Sequence, residues 1–133
     1  MDDGGIMNLE KVIFGFFIIL ALTLNFGFVI GEIDNPAHHN VWELFAAIVV
    51  NLVATVLKFG DRTQTGALLL ATSLVAVLQL LAAALVWAYA VNVSAGGMDA
   101  LWMASIVSLA AGAVVANVIS VVLLIADTVN LRR

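Results

Sequence analysis

Four long stretches almost free of charge dominate the chain. Val12 to Gly31, Gly66 to Val91 and Ala100 to Ala126 contain no Asp, Glu, Lys or Arg, and Pro36 to Leu57 contains one, Glu43. Each supplies the roughly 20 apolar residues that a helix needs to cross the hydrocarbon core of a bilayer, and the longer two cross with some tilt. Strands do not fit the pattern. A membrane strand alternates apolar with polar residues, whereas Val12-Ile13-Phe14-Gly15-Phe16-Phe17-Ile18-Ile19-Leu20 is apolar on every side. In lipid such a run must satisfy its own backbone, which means a helix. The expected fold is an all-α membrane protein, one domain over residues 1–133, with four transmembrane helices near 12–31, 36–57, 66–91 and 100–126.

Composition removes the other classes. The chain is 64% hydrophobic and 11% charged, against about a quarter charged for a soluble domain. Five Lys and Arg against nine Asp and Glu exclude a basic nucleic-acid binder. There is no cysteine, hence no disulfide and no thiol chemistry. The segment before the first span is acidic (Asp2, Asp3, Glu10, with Lys11) and the apolar run is long, so the first helix is expected to be retained rather than cleaved as a signal peptide.

The basic residues orient the spans. Lys11 precedes the first, Lys58 and Arg62 lie between the second and third, and Arg132 and Arg133 follow the fourth, so all five fall on one side of a four-span topology. The positive-inside rule then expects both termini in the cytoplasm, with the protein in the plasma (inner) membrane. Trp42, Trp87, Tyr89 and Trp102 all fall near the opposite interface, where amphipathic rings are favoured. That outer side also holds Glu32, Asp34, Glu43 and Asp99 and no base, so the net charge of −4 is external. Repeated round a ring of subunits, these carboxylates would draw cations to a pore mouth; alternatively they only solvate the loops. Asp99 also reads as an N-cap for the fourth helix.

The second span carries a polar stripe. Asn35-Pro36 reads as a cap followed by proline at the first helical position. His39, Glu43, Ala47, Asn51, Thr55 and Lys58 then follow at spacings of four or three, on one helix face. Such a stripe must face protein or water rather than lipid. It suits a pore-lining helix, with Glu32, Asp34 and Glu43 at the mouth, small Ala47 leaving room, and Asn51 and Thr55 supplying neutral oxygens deeper in. The packing alternative is that Asn40-x-x-Glu43 is a capping box and Asn51 bonds a neighbouring helix. Adjacent His38 and His39 diverge on a helix, which is poor for chelation within one chain, but the pair is a candidate for pH sensing or for a metal shared between subunits.

The remaining helices carry packing signals. Ala104, Ser108, Gly112, Ala116 and Ser120 form a small-residue ladder that lets helix backbones approach closely. Asn25, Gln79 and Asn117 lie at similar depths and are expected to form one buried amide cluster. No enzyme motif is present, such as HExxH, GxSxG or a phosphate-cradling loop. No carboxylate lies deep in the first, third or fourth span, which counts against a proton-coupled antiporter.

The function these features favour is a small homo-oligomeric, cation-selective channel, lined by the second helix and assembled from further copies of the chain in the lipid bilayer. It would use no cofactor beyond the permeant or bound cations. The alternatives are a non-conducting tetraspan scaffold or accessory subunit of a membrane complex, and a small ion-coupled transporter in which Glu43 or Asp34 titrates.

Overall fold

A computed structural model describes the backbone of residues 3–131 and the side chains of residues 9–130; Asp2, Arg132 and Arg133, used in the charge argument, lie outside the described residues. The chain forms α1 (Asp3–Val29), α2 (Val41–Lys58), α3 (Gln64–Asn92) and α4 (Ala100–Leu131), with a single 3-10 turn, Pro36–His38, between the first two. All four helices are long and apolar enough to cross a membrane. No strand occurs among the described residues. Each helix packs on its neighbours in sequence and α1 closes against α4, giving an up-down-up-down bundle whose most extensive interface is α3 on α4. The start of α1, the end of α4 and the α2–α3 turn share one end of the bundle, here the terminal end. The α1–α2 connection and the α3–α4 loop share the other, here the hairpin end.

Local chemistry sets the helix boundaries. Helix starts leave backbone N–H groups unpaired, and short polar side chains accept from them. Asn40 accepts from the Trp42 N–H at 2.8 Å, Thr63 from the Gly66 N–H at 2.9 Å, and Asp99 from the Trp102 N–H at 3.0 Å. The second helix therefore begins at Val41 rather than at Pro36. Asn35 instead caps the separate 3-10 turn, accepting from the Ala37 N–H at 2.9 Å. His39 and Asn40 are extended, with φ near −128° and −87°, which breaks the helical run between Pro36 and Val41. The capping-box bond from Glu43 is not among the bonds formed, and its carboxylate lies against Gly27 of α1 instead.

The α4 ladder is not a single contact face. Ala116 and Ser120 are buried, Ala104 and Gly112 half-buried, and Ser108 exposed. A spacing of four advances about 40° per step on a helix of 3.6 residues per turn, so the five positions spread over about 160°. Gly112 faces the Gln79 amide of α3, where a Cβ would lie 3.1 Å from that amide.

The α2–α3 turn is tied by Asp61, which accepts from the Thr63 N–H at 2.9 Å and its hydroxyl at 2.7 Å. Lys58 lies 3.7 Å away. The two Thr63 hydrogen bonds, with the Lys58 charge adding to them, hold the Asp61 carboxyl below its ordinary value of 3.8. Gly66, in the first turn of α3, leaves the space that the Asp61 carboxylate fills. A methyl group there would displace the carboxylate, so Gly66→Ala is expected to lower the thermal midpoint in detergent. The lowered Asp61 value stabilises the fold above 3.8, and that contribution is lost as pH falls below 3.8 through the folded-state value. Asp61→Asn is expected to flatten this part of the acid limb in a midpoint-against-pH series.

Candidate functional site

The stripe on α2 faces the other three helices of its own chain. Ala47, Asn51 and Thr55 are buried, while Glu43 and Lys58 are half-buried at its two ends. This differs from the expectation of a face turned toward an oligomer axis. The reason is local: the opposite face of α2 presents Trp42, Phe45, Val49, Leu52 and Val56, all exposed apolar groups suited to lipid. A helix with one polar face turns that face inward whenever its own chain supplies partners.

Those partners are amides. Asn117 of α4 donates to Asn51 Oδ1 at 2.8 Å, across the diagonal of the bundle. Asn51 Nδ2 donates to the Ala47 carbonyl at 2.8 Å. Thr55 donates to the Asn51 carbonyl at 2.8 Å, so its hydroxyl hydrogen is held by its own helix. Asn25 of α1 satisfies both ends of its amide only in the second of two settings. In one it donates to Asn117 Oδ1 at 3.3 Å; rotated by half a turn, it donates to the Ala110 carbonyl at 3.2 Å and accepts from the Val114 N–H at 3.1 Å. All three asparagines are fully buried.

The expected third member of this cluster, Gln79, lies elsewhere, half-buried against Gly112. Asn51 takes its place, because Gln79 points into the α3–α4 interface rather than at the bundle centre. Apolar clusters flank the asparagines. Phe28, Leu44, Leu80 and Met103 pack on the hairpin side, and Phe14, Ile18, Ala54 and Leu69 on the terminal side. Two further buried polar features were not legible from residue spacing. Thr72 and Ser120 share a hydrogen bond between α3 and α4, and Ser73 is fully buried with no partner for its hydroxyl.

The terminal end carries ion pairs. Lys11 meets Asp127 at 3.2 Å and Thr128 at 3.3 Å, joining α1 to α4. The Lys58 ammonium lies 4.5 Å from the centre of the Phe14 ring, a distance at which a cation is attracted by the ring face. Lys11, Phe14, Lys58 and Asp127 line a cleft of about 580 Å³ at the bundle rim.

At the hairpin end Glu32 and Asp34 are exposed. Both backbone groups of Glu32 are bound by histidine. Its N–H donates to His38 Nδ1 at 2.9 Å, and its carbonyl lies 2.6 Å from His39 Nε2. The second His39 nitrogen lies 2.6 Å from the Phe28 carbonyl in the last turn of α1. His39 is buried and His38 exposed. Gly31, at φ +102°, allows the chain to pass His38; a Cβ there would lie 2.8 Å from the His38 Cβ. Among the described residues no group of three or more His, Cys, Asp or Glu is arranged to hold a metal ion.

Residues 38–128 match the model of a family described as a family of unknown function (DUF6394). The chain belongs to this family. The DUF6394 segment runs from the histidine pair to the end region of α4, so it contains Glu43, Asn51, Gln79 and Asn117, whereas Asn25 precedes it. No curated protein and no solved structure matches the chain.

The asparagine chain makes a stability prediction. Asn117→Leu removes the donor to Asn51 and leaves buried amide groups without partners. The expected cost is roughly 1–2 kcal/mol in unfolding from bilayer mimics. A double-mutant cycle with Asn51→Leu is expected to show positive coupling between the two sites, because each single change already breaks the shared bond. Additive effects would mean the bond contributes nothing.

Proposed function

We propose that the protein is a non-conducting, multi-pass subunit of the plasma (inner) membrane that serves as a helical partner within a larger membrane assembly. One observation carries this reading: Asn51, Thr55 and Ala47, the groups best suited to line a pore, are packed and hydrogen-bonded inside the chain's own bundle. Polar groups that hold a bundle together are unavailable to a permeating ion unless the bundle opens. What the chain offers outward is an apolar belt, as a partner helix or lipid requires. The orientation goes with this reading. Both termini and the α2–α3 turn, with Lys11, Lys58 and Arg62, are placed in the cytoplasm.

The second reading is the homo-oligomeric cation channel. It is favoured by the four carboxylates, Glu32, Asp34, Glu43 and Asp99, that crowd one end with no Lys or Arg among them. In that case conduction would run through each subunit's interior or between subunits, not along a ring of exposed α2 faces.

Passive flux into liposomes carrying the purified protein separates the two. The expected result is no sodium, potassium or calcium flux above protein-free vesicles, at either sign of voltage, for wild type and Glu43→Gln alike. Cation flux without chloride flux, altered by Glu43→Gln, would overturn the proposal in favour of the channel. The partner is sought with photocrosslinking groups placed singly at lipid-facing Val49 and Leu78 and at buried Ala47 in native membranes. One polypeptide other than this chain is expected at the exposed positions and none at Ala47. Because the chain lacks cysteine, Ser94→Cys and Thr63→Cys report orientation directly. An impermeant maleimide applied to intact cells is expected to label position 94 and not position 63.

A further inference from the structure

The two histidines make opposite demands on protons. Carbonyl oxygens only accept hydrogen bonds. His39 has a carbonyl 2.6 Å from each ring nitrogen, Phe28 on one side and Glu32 on the other. Both nitrogens therefore have to donate, which only the doubly protonated imidazolium does. Charge-assisted bonds of this kind are short, and the Phe28 carbonyl sits at the C-terminal end of α1, where the helix dipole favours a cation. His38 is the reverse case. Its Nδ1 receives the Glu32 N–H at 2.9 Å, so that nitrogen keeps its lone pair and the ring is neutral, with its proton on Nε2, which then forms no hydrogen bond with the Asn35 side-chain nitrogen 3.3 Å away.

The surroundings agree with a positive His39. On its own segment it faces His38, with ring centres 6.4 Å apart, and Glu43 follows one turn into α2. The α1 stretch beside it has no ionisable side chain from Val12 to Gly31, and the connection contributes Glu32 and Asp34. The Phe28 ring lies tilted 5.7 Å from that of His39, and Trp87 of α3 lies 6.2 Å from Phe28. Tyr89 of α3 is turned to Trp102, and the α3–α4 loop adds Asp99. Every formally charged group at this end is an acid.

We propose that the α1–α2 hairpin is a proton-set latch, closed when His39 is an imidazolium and His38 is neutral. Closed, the latch ties the end of α1 (Phe28) through His39 to the connection (Glu32), and Glu32 through His38 to the 3-10 turn. Deprotonating His39 leaves a lone pair facing a carbonyl oxygen and releases α1 from the connection. Protonating His38 sets an N–H against the Glu32 N–H and releases the turn. The two transitions have opposite signs. The His39 contribution is present at low pH and lost as pH rises; the His38 contribution is present at high pH and lost as pH falls. The hairpin is then most stable within a window bounded on both sides. The latch is independent of whether the protein conducts.

The chain has only two histidines, so nitrogen NMR of the full-length, histidine-labelled protein in nanodiscs reads both rings directly. Between about pH 5 and 8, where histidine is the side chain that ordinarily titrates, one ring is expected to show the imidazolium pattern while the other is a neutral Nε2–H tautomer. His38→Asn, which keeps an acceptor at the Nδ1 position, is expected to remove the neutral ring's signals and the acid fall of the thermal midpoint in this range. His39→Gln is expected to remove the alkaline fall. Two rings in the same protonation state throughout the range would overturn the latch, and so would a midpoint profile that neither substitution changes. The NMR arm needs no variant, so a poorly folding mutant leaves the test intact.

Discussion

An amide in the middle of an apolar bundle has no water to bond, and that constraint organises this protein. Leaving such a group unpaired costs more than pairing it gains. Three asparagines from three helices therefore meet at the centre, with Asn117 bridging to Asn51 across the diagonal and Asn25 tying α1 to the α4 backbone beside them. The remaining contacts are mostly apolar and tolerate sliding, because lipid offers the same environment as a neighbouring leucine. The amides do not tolerate it. A shift of one turn along any of these helices would separate Asn117 from its partners, so this layer sets the register in which Phe28, Leu44 and Leu80 on one side and Phe14, Ile18 and Leu69 on the other then pack.

The ends of the bundle are built on a different principle. They face water and headgroups, where polar side chains can be satisfied locally. The terminal end uses charge: Lys11 with Asp127 ties α1 to α4, and Asp61 with Thr63 ties the α2–α3 turn. The hairpin end has no Lys or Arg and uses neutral and imidazole groups instead. There Glu32 is held through its backbone while its carboxylate stays exposed. The histidine bonds of this loop use the Glu32 backbone, and its carboxylate, met by the Asn35 amide at 3.5 Å, presents negative charge to solvent.

Helix count and approximate extents were legible in the sequence, because uncharged runs of this length have one stable form in lipid. Asp99 was legible as a cap, since capping is local. Asn25 and Asn117 were legible as buried partners from their matching depths. Three features were not. Spacing alone put Pro36 in α2, but the extended backbone at His39 and Asn40 depends on bonds from His39 to α1 and the connection. Gln79 shares the depth of the asparagines but not their direction, and direction depends on how α3 is rotated against α4. The α4 ladder read as one face only if the drift of a four-residue spacing is ignored.

The polar stripe on α2 marks the division most clearly. Sequence determined that His39, Glu43, Ala47, Asn51, Thr55 and Lys58 recur at helical spacing and that lipid would reject them; it also determined four helices, short connections and the one-sided distribution of Lys and Arg. Only the tertiary structure decided what the stripe meets. Periodicity defines a face, but the identity of the facing surface depends on the rotation of every other helix. Here that rotation brings Asn117 of α4, far away in the chain, within 2.8 Å of Asn51.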